Sequence, residues 1–380
     1  MNAVSHLPRA WAEIDLPAFE RNVGKIKASL PPHIRYIAVV KADGYGHGVG
    51  HIVERLLQCG VNAFAVANAR EGADVRYVAP QSEIVVLGPT LPEEAESAVA
   101  DRLTVAVSDA EEARTLSALA ASRGTRVAVN LKIDTGMGRM GVWHENAAPL
   151  AELLAELPGV DFRGVFTHFS SADTSFEYTQ LQRARFLAAV GKIPESIREK
   201  LTIHADNSAG LETFSRERPF NAVRVGILQY GLPPAPGTLF EKISPEPVLS
   251  FRSRVGLVKT LPAGTPVSYN RTKTLARETR VAIVTAGYGD GIPTAASNRA
   301  SFLLHGRRVP VLGRVTMDQT LVDVSDVPEA RVGDVVTLIG AADGASVSIE
   351  EFCAWGDCIS WEALVSITKR VPRIYEGLRR

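Results

Sequence analysis

The run Ile37-Ala38-Val39-Val40-Lys41-Ala42-Asp43-Gly44-Tyr45-Gly46-His47-Gly48 ends an apolar, buried-type strand in a lysine, and a glycine-rich turn with a tyrosine of exposed type follows at once. Burying an ammonium is costly unless it is paired or neutralised. A lysine at the mouth of a strand is therefore placed to give up its proton and act as a nucleophile or Schiff-base amine. A lone strand-end lysine ordinarily snorkels to water, and what points further is its company. Lys132, Asp134 and Arg139 lie in Leu131-Lys132-Ile133-Asp134-Thr135-Gly136-Met137-Gly138-Arg139, and His168 closes Gly164-Val165-Phe166-Thr167-His168. Asn207 and Ser208 follow His204-Ala205-Asp206, and Arg224 with Gly226 and Ile227 closes a further run. Singly, each has an ordinary role: core histidine, surface arginine, turn asparagine, helix-capping serine. Gathered on one face they would form a ring of reactive groups.

The elements needed to gather them are legible as strand, turn and helix repeated from about residue 35 to 230. Strands are predicted at Arg35 to Val40, Ala63 to Val66, Ile84 to Leu87, Leu103 to Val107, Arg126 to Ile133, Phe162 to Phe166, Leu201 to His204 and Ala222 to Val225. Helices fall between them, one opening after Ser108 as its cap and a short one starting at Ser208. Eight such strands with alternating helices mark a (β/α)8 barrel, and a doubly wound open sheet is the alternative. Asp15 before Leu16-Pro17 reads as the cap of a helix running to about Ser29, and the strand before it, Arg9 to Ile14, precedes the barrel and is free to pair with the C-terminal part. Prolines 233, 234, 236, 245 and 247 suggest a linker, so the barrel is assigned to residues 1–238. Residues 239–380 read as a β-rich domain whose last strand lies near Ile359 to Thr368.

In a barrel of this kind the chemistry sits at the C-terminal ends of the strands, and phosphate commonly binds after the seventh and eighth. Ser208 at a helix start and the backbone at Gly226-Ile227 are the matching positions. A lysine across the mouth from a phosphate site suggests pyridoxal 5′-phosphate. The 380 residues carry 42 basic and 42 acidic side chains, and this balance argues against nucleic acid and membrane surfaces as partners. No apolar stretch approaches the roughly 20 residues of a spanning helix, and Met1 to Pro8 lacks an apolar signal core, so a cytoplasmic protein is expected. Cys59, Cys353 and Cys358 lack metal-ligand or disulfide-framework spacing, and no metal is expected.

With these residues in view the chain resembles the alanine racemases, fold-type III pyridoxal-phosphate enzymes, over nearly its whole length. The motifs carrying the resemblance are VVKADGYGHG, LKIDTGMGRMG, THFSSAD, HADNSAG, VRVGI, VSYN, GYGDG and GRVTMDQ, in family order. The resemblance implies interconversion of L- and D-alanine by two opposed acid/bases on a pyridoxal-phosphate aldimine, supplying D-alanine for peptidoglycan. Lys41 would hold the cofactor and serve one face, and Tyr269, reaching in from the partner of a head-to-tail homodimer, the other. Tyr45, Asn207, Ser208, Gly226 and Ile227 would bind the phosphate end, and Arg224 would face the pyridine nitrogen. Arg139 and the Met317 backbone N–H would hold the substrate carboxylate. His168 and Asp318 would support the site, and Tyr288 would line its entrance. Lys132 corresponds to a lysine carbamylated in many members, where it orients the arginine matching Arg139.

One departure bears on specificity. Trp361 stands where the family commonly has a tyrosine that helps bind phosphate and narrows the pocket. Its indole N–H can donate, but the ring is larger, so serine or other small amino acids stand beside alanine as substrates. Thr316 replaces a common cysteine before Met317-Asp318. Barrel decarboxylases are an alternative, but they favour a triple-glycine phosphate loop and an acidic residue at the ring nitrogen, where this chain has Arg224. Non-catalytic pyridoxal-phosphate carriers lack the β-domain that holds Tyr269.

Overall fold

The computed structural model describes residues 8–214 and 219–378. The chain forms two compact units, one of Phe19–Glu246 and one of the described residues through Ala18 together with those from Pro247 onward. The boundary expected after residue 238 thus falls after Glu246, and the first strand joins the C-terminal unit. The proline-rich stretch does not run free: Thr238–Ile243 is a helix, and the Leu239 N–H donates to the Glu212 carboxylate at 3.0 Å. Glu246 is clamped by Arg21 at 2.6 Å and Lys25 at 2.9 Å.

The opening strand β1 (Ala10–Asp15) leads into the helix Leu16–Ser29, whose Ala18 N–H donates to Asp15 Oδ1 at 2.8 Å, the cap expected from sequence. The barrel strands are β2 (Arg35–Val39), β3 (Ala63–Val66), β4 (Glu83–Val86), β5 (Thr104–Val107), β6 (Val127–Asp134), β7 (Val160–Phe166), β8 (Thr202–His204) and β9 (Ala222–Val225). They pair in parallel in the order β9-β2-β3-β4-β5-β6-β7-β8. Two hydrogen bonds bring the ends of this sheet together: Asn221 N–H to Ile203 O at 3.1 Å and Arg224 N–H to Asp206 O at 2.9 Å. Strands such as β3, β5 and β9 are buried along their whole length. That is why they read as near-continuous apolar runs, broken only by Thr104 at the start of β5 and Arg224 near the end of β9. The helix expected to be capped by Ser108 is capped by Asp109, which accepts from the N–H groups of Glu111 and Glu112 at 2.9 Å, while the Ser108 N–H donates to Glu112. The helix expected at Ser208 is only a 3₁₀ turn, Gly210–Thr213.

In the C-terminal unit β10 (Leu249–Leu261) is the spine. It pairs antiparallel with β1, with β11 (Thr279–Val284) and with β15 (Val335–Ala342). Its partner changes at a bulge between Val255 and Leu257. The strands β12 (Ser301–Leu304), β13 (Arg307–Pro310), β14 (Thr320–Asp323), β16 (Ala345–Val347) and β17 (Arg373–Glu376) complete the sheet, β17 lying parallel to β1. The strand expected near Ile359 to Thr368 is instead the helix Ser360–Ser366. Its β-branched residues suggest a strand, but Ala363, Leu364 and Ile367 are the buried positions, a helical spacing, and packing overrides propensity.

Candidate active site

Lys41 leaves β2 into a turn held in left-handed backbone at Ala42 (φ 52°), Asp43 (φ 55°), Gly44 (φ 62°) and Tyr45 (φ 54°). Left-handed conformations at non-glycine residues cost about 1–2 kcal/mol each and persist only when their surroundings impose them. Here the Glu71 carboxylate takes the Ala42 and Ala67 N–H groups, both at 2.8 Å, and Asp43 takes the Val49 N–H at 2.8 Å. The Lys41 ammonium is pushed below its ordinary pKa by burial first and Arg139 second, with Glu71 opposing.

Tyr45 is buried, against the exposed reading of its sequence, and its ring lies 4.9 Å from that of Tyr230. Burial raises its phenol pKa, so the group is a hydrogen-bond donor. Its Oη closes on Gly226, where a Cβ atom would stand 2.6 Å away. The Gly226 N–H donates to Ser208 Oγ at 2.8 Å, so Tyr45, Ser208 and Gly226 meet in one cradle, with Ile227 opening the buried 3₁₀ turn Ile227–Tyr230 beside it. The Asn207 side chain shapes this loop by accepting the Gly210 N–H at 2.9 Å.

Arg224 is 2% exposed, and both of its terminal nitrogens are engaged. It donates to Thr167 O and Ala205 O at 2.8 Å, to His204 Nδ1 at 2.7 Å and to His168 Nδ1 at 3.2 Å. Burial pushes its guanidinium down to about 10. Burial first, and Arg224 next, hold both histidines well below their usual value, so each presents a neutral ring as acceptor. Lys132 lies under the same influence, its Nζ 4.3 Å from the Phe166 ring centroid, and burial followed by Arg224 and Arg139 pushes it well down. Asp134 Oδ1 collects the N–H groups of Gly136, Met137 and Gly138 at 2.8–3.2 Å, shaping the loop that presents the exposed Arg139.

Of the candidates in the C-terminal unit, Tyr288, Met317 and Asp318 lie on segments tied together by hydrogen bonds. Tyr269 is 69% exposed on a turn with left-handed Ser268, Asn270 and Arg271. The turn is anchored by Ser268 Oγ donating to Arg314 O at 2.6 Å and by Val267 and Leu275 in a small core on either side. The Tyr288 and Gly289 N–H groups donate to Thr316 O and Met317 O at 2.9 Å, joining the GYGDG and Met317-Asp318 segments. Trp361 is half-buried on the helix Ser360–Ser366 and makes no hydrogen bond to these segments among the described residues.

Several supporting residues escaped the sequence reading. Arg183 pairs with the fully buried Asp206 at 2.8 Å, immediately before Asn207-Ser208. Gln182 Nε2 donates to His168 O at 3.2 Å, and His204 fixes Arg224. Arg370 binds Asp290 at 2.7 Å and Asp318 at 2.8 Å, locking the two C-terminal segments together. Only the quoted His204-Ala205-Asp206 run, polar residues closing a buried strand, gave a local signal.

A barrel enzyme with an appended β-domain is the class these two units define. The family model described as alanine racemase, N-terminal domain, matches residues 14–234, and that described as alanine racemase, C-terminal domain, matches residues 248–375. The chain is 41% identical to the alanine racemase of Symbiobacterium thermophilum, covering 97% of each chain, and 39% identical to that of Desulfosudis oleivorans, covering 96% of each. Among solved structures it resembles the Clostridium difficile 630 alanine racemase, with TM-score 0.90, 31% identity and coverage of 97% of this chain and 96% of that one. It also resembles the Bacillus anthracis alanine racemase solved with bound L-Ala-P, with TM-score 0.89, 31% identity and coverage of 98% and 96%. The chain belongs to the alanine racemase family.

Proposed function

We propose that this protein racemises alanine with pyridoxal 5′-phosphate held at the barrel mouth, Lys41 and Tyr269 acting as the opposed acid/bases. The observation that carries this reading is the Tyr45–Ser208–Gly226 cradle, where a side chain at Gly226 would fill the space beside Tyr45 Oη. Its donors suit a phosphate, and the names borne by its relatives suit the reaction. When bound, the cofactor supplies an electron sink for charge developing at the substrate α-carbon.

The remaining work falls to this chain's own groups. Tyr45 and Ser208 hydroxyls and the backbone beside Ile227 would hold the phosphate. Arg224, itself held by His204 and His168, would donate toward the ring nitrogen rather than accept from it. The depressed Lys41 amine spends more time neutral at pH 7 than a free lysine, as an acid/base near the α-carbon requires. Tyr269 of the partner subunit in a head-to-tail homodimer would return or remove the proton on the other face. Arg139 and the Met317 N–H would hold the substrate carboxylate, with Asp318, held by Arg370, steadying Met317 and with Tyr288 at the entrance. Lys132, as its carbamate, would orient Arg139. Trp361 would border the substrate and set how far serine competes with alanine. In the cytoplasm, such an activity would supply D-alanine for peptidoglycan.

The test is incubation of the cofactor-loaded protein with L-alanine or L-serine in D2O, following α-deuteration and the D-enantiomer. Alanine is expected to racemise fastest. Lys41→Ala is expected to abolish exchange from both enantiomers, and Tyr269→Phe to slow each direction by at least about 10²-fold. Cofactor binding without racemisation of either amino acid would refute the proposal.

A further inference from the structure

At the end of the barrel opposite Lys41, the N-terminal ends of the strands frame a cleft of about 800 Å³. Arg35, Arg76, Arg102, Arg126, Arg163 and Lys200 line it, against two carboxylates, Glu83 and Asp161. The carboxylates are committed, Glu83 to Arg35 and Asp161 to Arg163 at 2.6 Å. The other four cations have no carboxylate partner among the described residues. Arg76 spends its guanidinium on the carbonyls of Asp101, Ala79, Pro80, Ser82 and Arg102, at 2.7–3.3 Å. Arg126 donates to Val160 O and Arg102 to Pro80 O, while the Lys200 side chain is exposed with no partner among the described residues.

In a chain of zero net charge, four cations without an ion-pair partner among the described residues thus line one concavity, with Asp101 acting on Arg76 from outside its lining. A concave wall focuses their field and raises the local concentration of anions. Arg102 lies in left-handed backbone, φ 53°, where glycine would be unstrained, so this position carries a guanidinium at a conformational cost. Burial first, and Arg102 second, push the Arg76 pKa down, with Asp101 opposing, and a bound anion would relieve the repulsion between the two guanidinium groups. Arg102 uses one terminal nitrogen on Pro80 O, and its other donors, with the Lys200 ammonium, are left to meet phosphate oxygens, while the committed guanidinium groups add their charge to the wall; donors spread around one cleft suit several linked phosphates better than one.

We infer that the N-terminal mouth of the barrel is a second binding site, for a small anion carrying two or more linked phosphate groups. It is distinct from the cradle at the C-terminal mouth: Arg35 and Lys41 bracket β2, about 20 Å apart at ~3.3 Å per residue. It does not rest on the proposed racemase reaction.

The experiment is calorimetric titration of the full-length protein with inorganic tripolyphosphate, with ATP and inorganic phosphate as parallel probes. Saturable tripolyphosphate binding is expected, weaker at about 0.15 M salt, where charges are screened beyond about 8 Å. Inorganic phosphate should bind at least about tenfold more weakly. Arg102→Gly with Lys200→Ser removes two exposed cations and one strained backbone position, so the variant should keep its thermal midpoint. Its tripolyphosphate affinity should fall by about tenfold or more. ATP binding more tightly than tripolyphosphate would assign a nucleotide, and equal affinities the phosphate chain alone. Added pyridoxal 5′-phosphate should leave the affinity unchanged. Competition by it, absence of saturable binding, or undiminished binding to the double variant would each overturn the inference.

Discussion

Replacing Gly226 by alanine would put a methyl carbon 2.6 Å from Tyr45 Oη and 3.3 Å from its Cζ. Ordinary contact begins near 3.4 Å, so the phenol must retreat by about 0.8 Å. It has little room to do so, since its ring packs 4.9 Å from Tyr230, which is itself packed against His47 at 4.6 Å and Phe19 at 5.6 Å. Overpacking of this kind costs about 1–3 kcal/mol. Charged entirely to the cofactor-binding geometry, that is a loss of about 5- to 150-fold in affinity for pyridoxal 5′-phosphate. Tyr45→Phe alone should lose a hydrogen bond to a charged group, about 1.5–3 kcal/mol. In the double variant the nearest remaining atom is Cζ at 3.3 Å, so most of the clash is gone. The double variant should therefore bind about as well as Tyr45→Phe alone. The assay is spectroscopic titration of apoprotein with cofactor for all four forms. Unchanged affinity in Gly226→Ala, or strictly additive losses, would refute the idea that Tyr45 and Gly226 share one cradle.

Three further outcomes follow from the network around the site. Arg183→Met removes the ion-pair partner of the buried Asp206 carboxylate, leaving only the more distant field of Arg224, and should cost about 3–5 kcal/mol in urea unfolding, whereas Arg183→Met with Asp206→Leu should cost less than Arg183→Met alone; equal losses would show that the pair is not coupled. His204 and His168 stay neutral when folded, so below about pH 6.5 the unfolded chain binds protons that the folded chain refuses, and stability that is full above pH 6.5 falls as the pH is lowered toward the folded values. Urea midpoints between pH 7.5 and 5 should fall less steeply in His204→Asn, which keeps an acceptor for Arg224, and an identical slope would remove His204 from the account. Arg370→Met frees Asp290 and Asp318 and loosens the Met317 turn, so KM for alanine should rise several-fold with a smaller change in kcat, and an effect on kcat alone would contradict a positioning role.

The sequence by itself determined what is local. Continuous apolar runs ended by Lys41, His168 or Arg224 are legible because a strand buried on both faces tolerates polar groups only where it emerges. Asp15 marks its helix because a cap acts on an N–H three residues away. The Lys41 and Met317 motifs are contiguous, so their resemblance to a family survives without any structure. Tertiary structure decided what depends on distant partners. Ser360–Ser366 is a helix because its apolar residues find a core at helical spacing, which the β-branched composition of the segment does not reveal. Tyr45 is buried because Tyr230, 185 positions further on, covers its ring. Arg183 and Asp206, Arg370 and Asp318, and the cations of the N-terminal mouth are unremarkable in the chain. A charge acquires its meaning only when folding withdraws water and selects the groups that replace it.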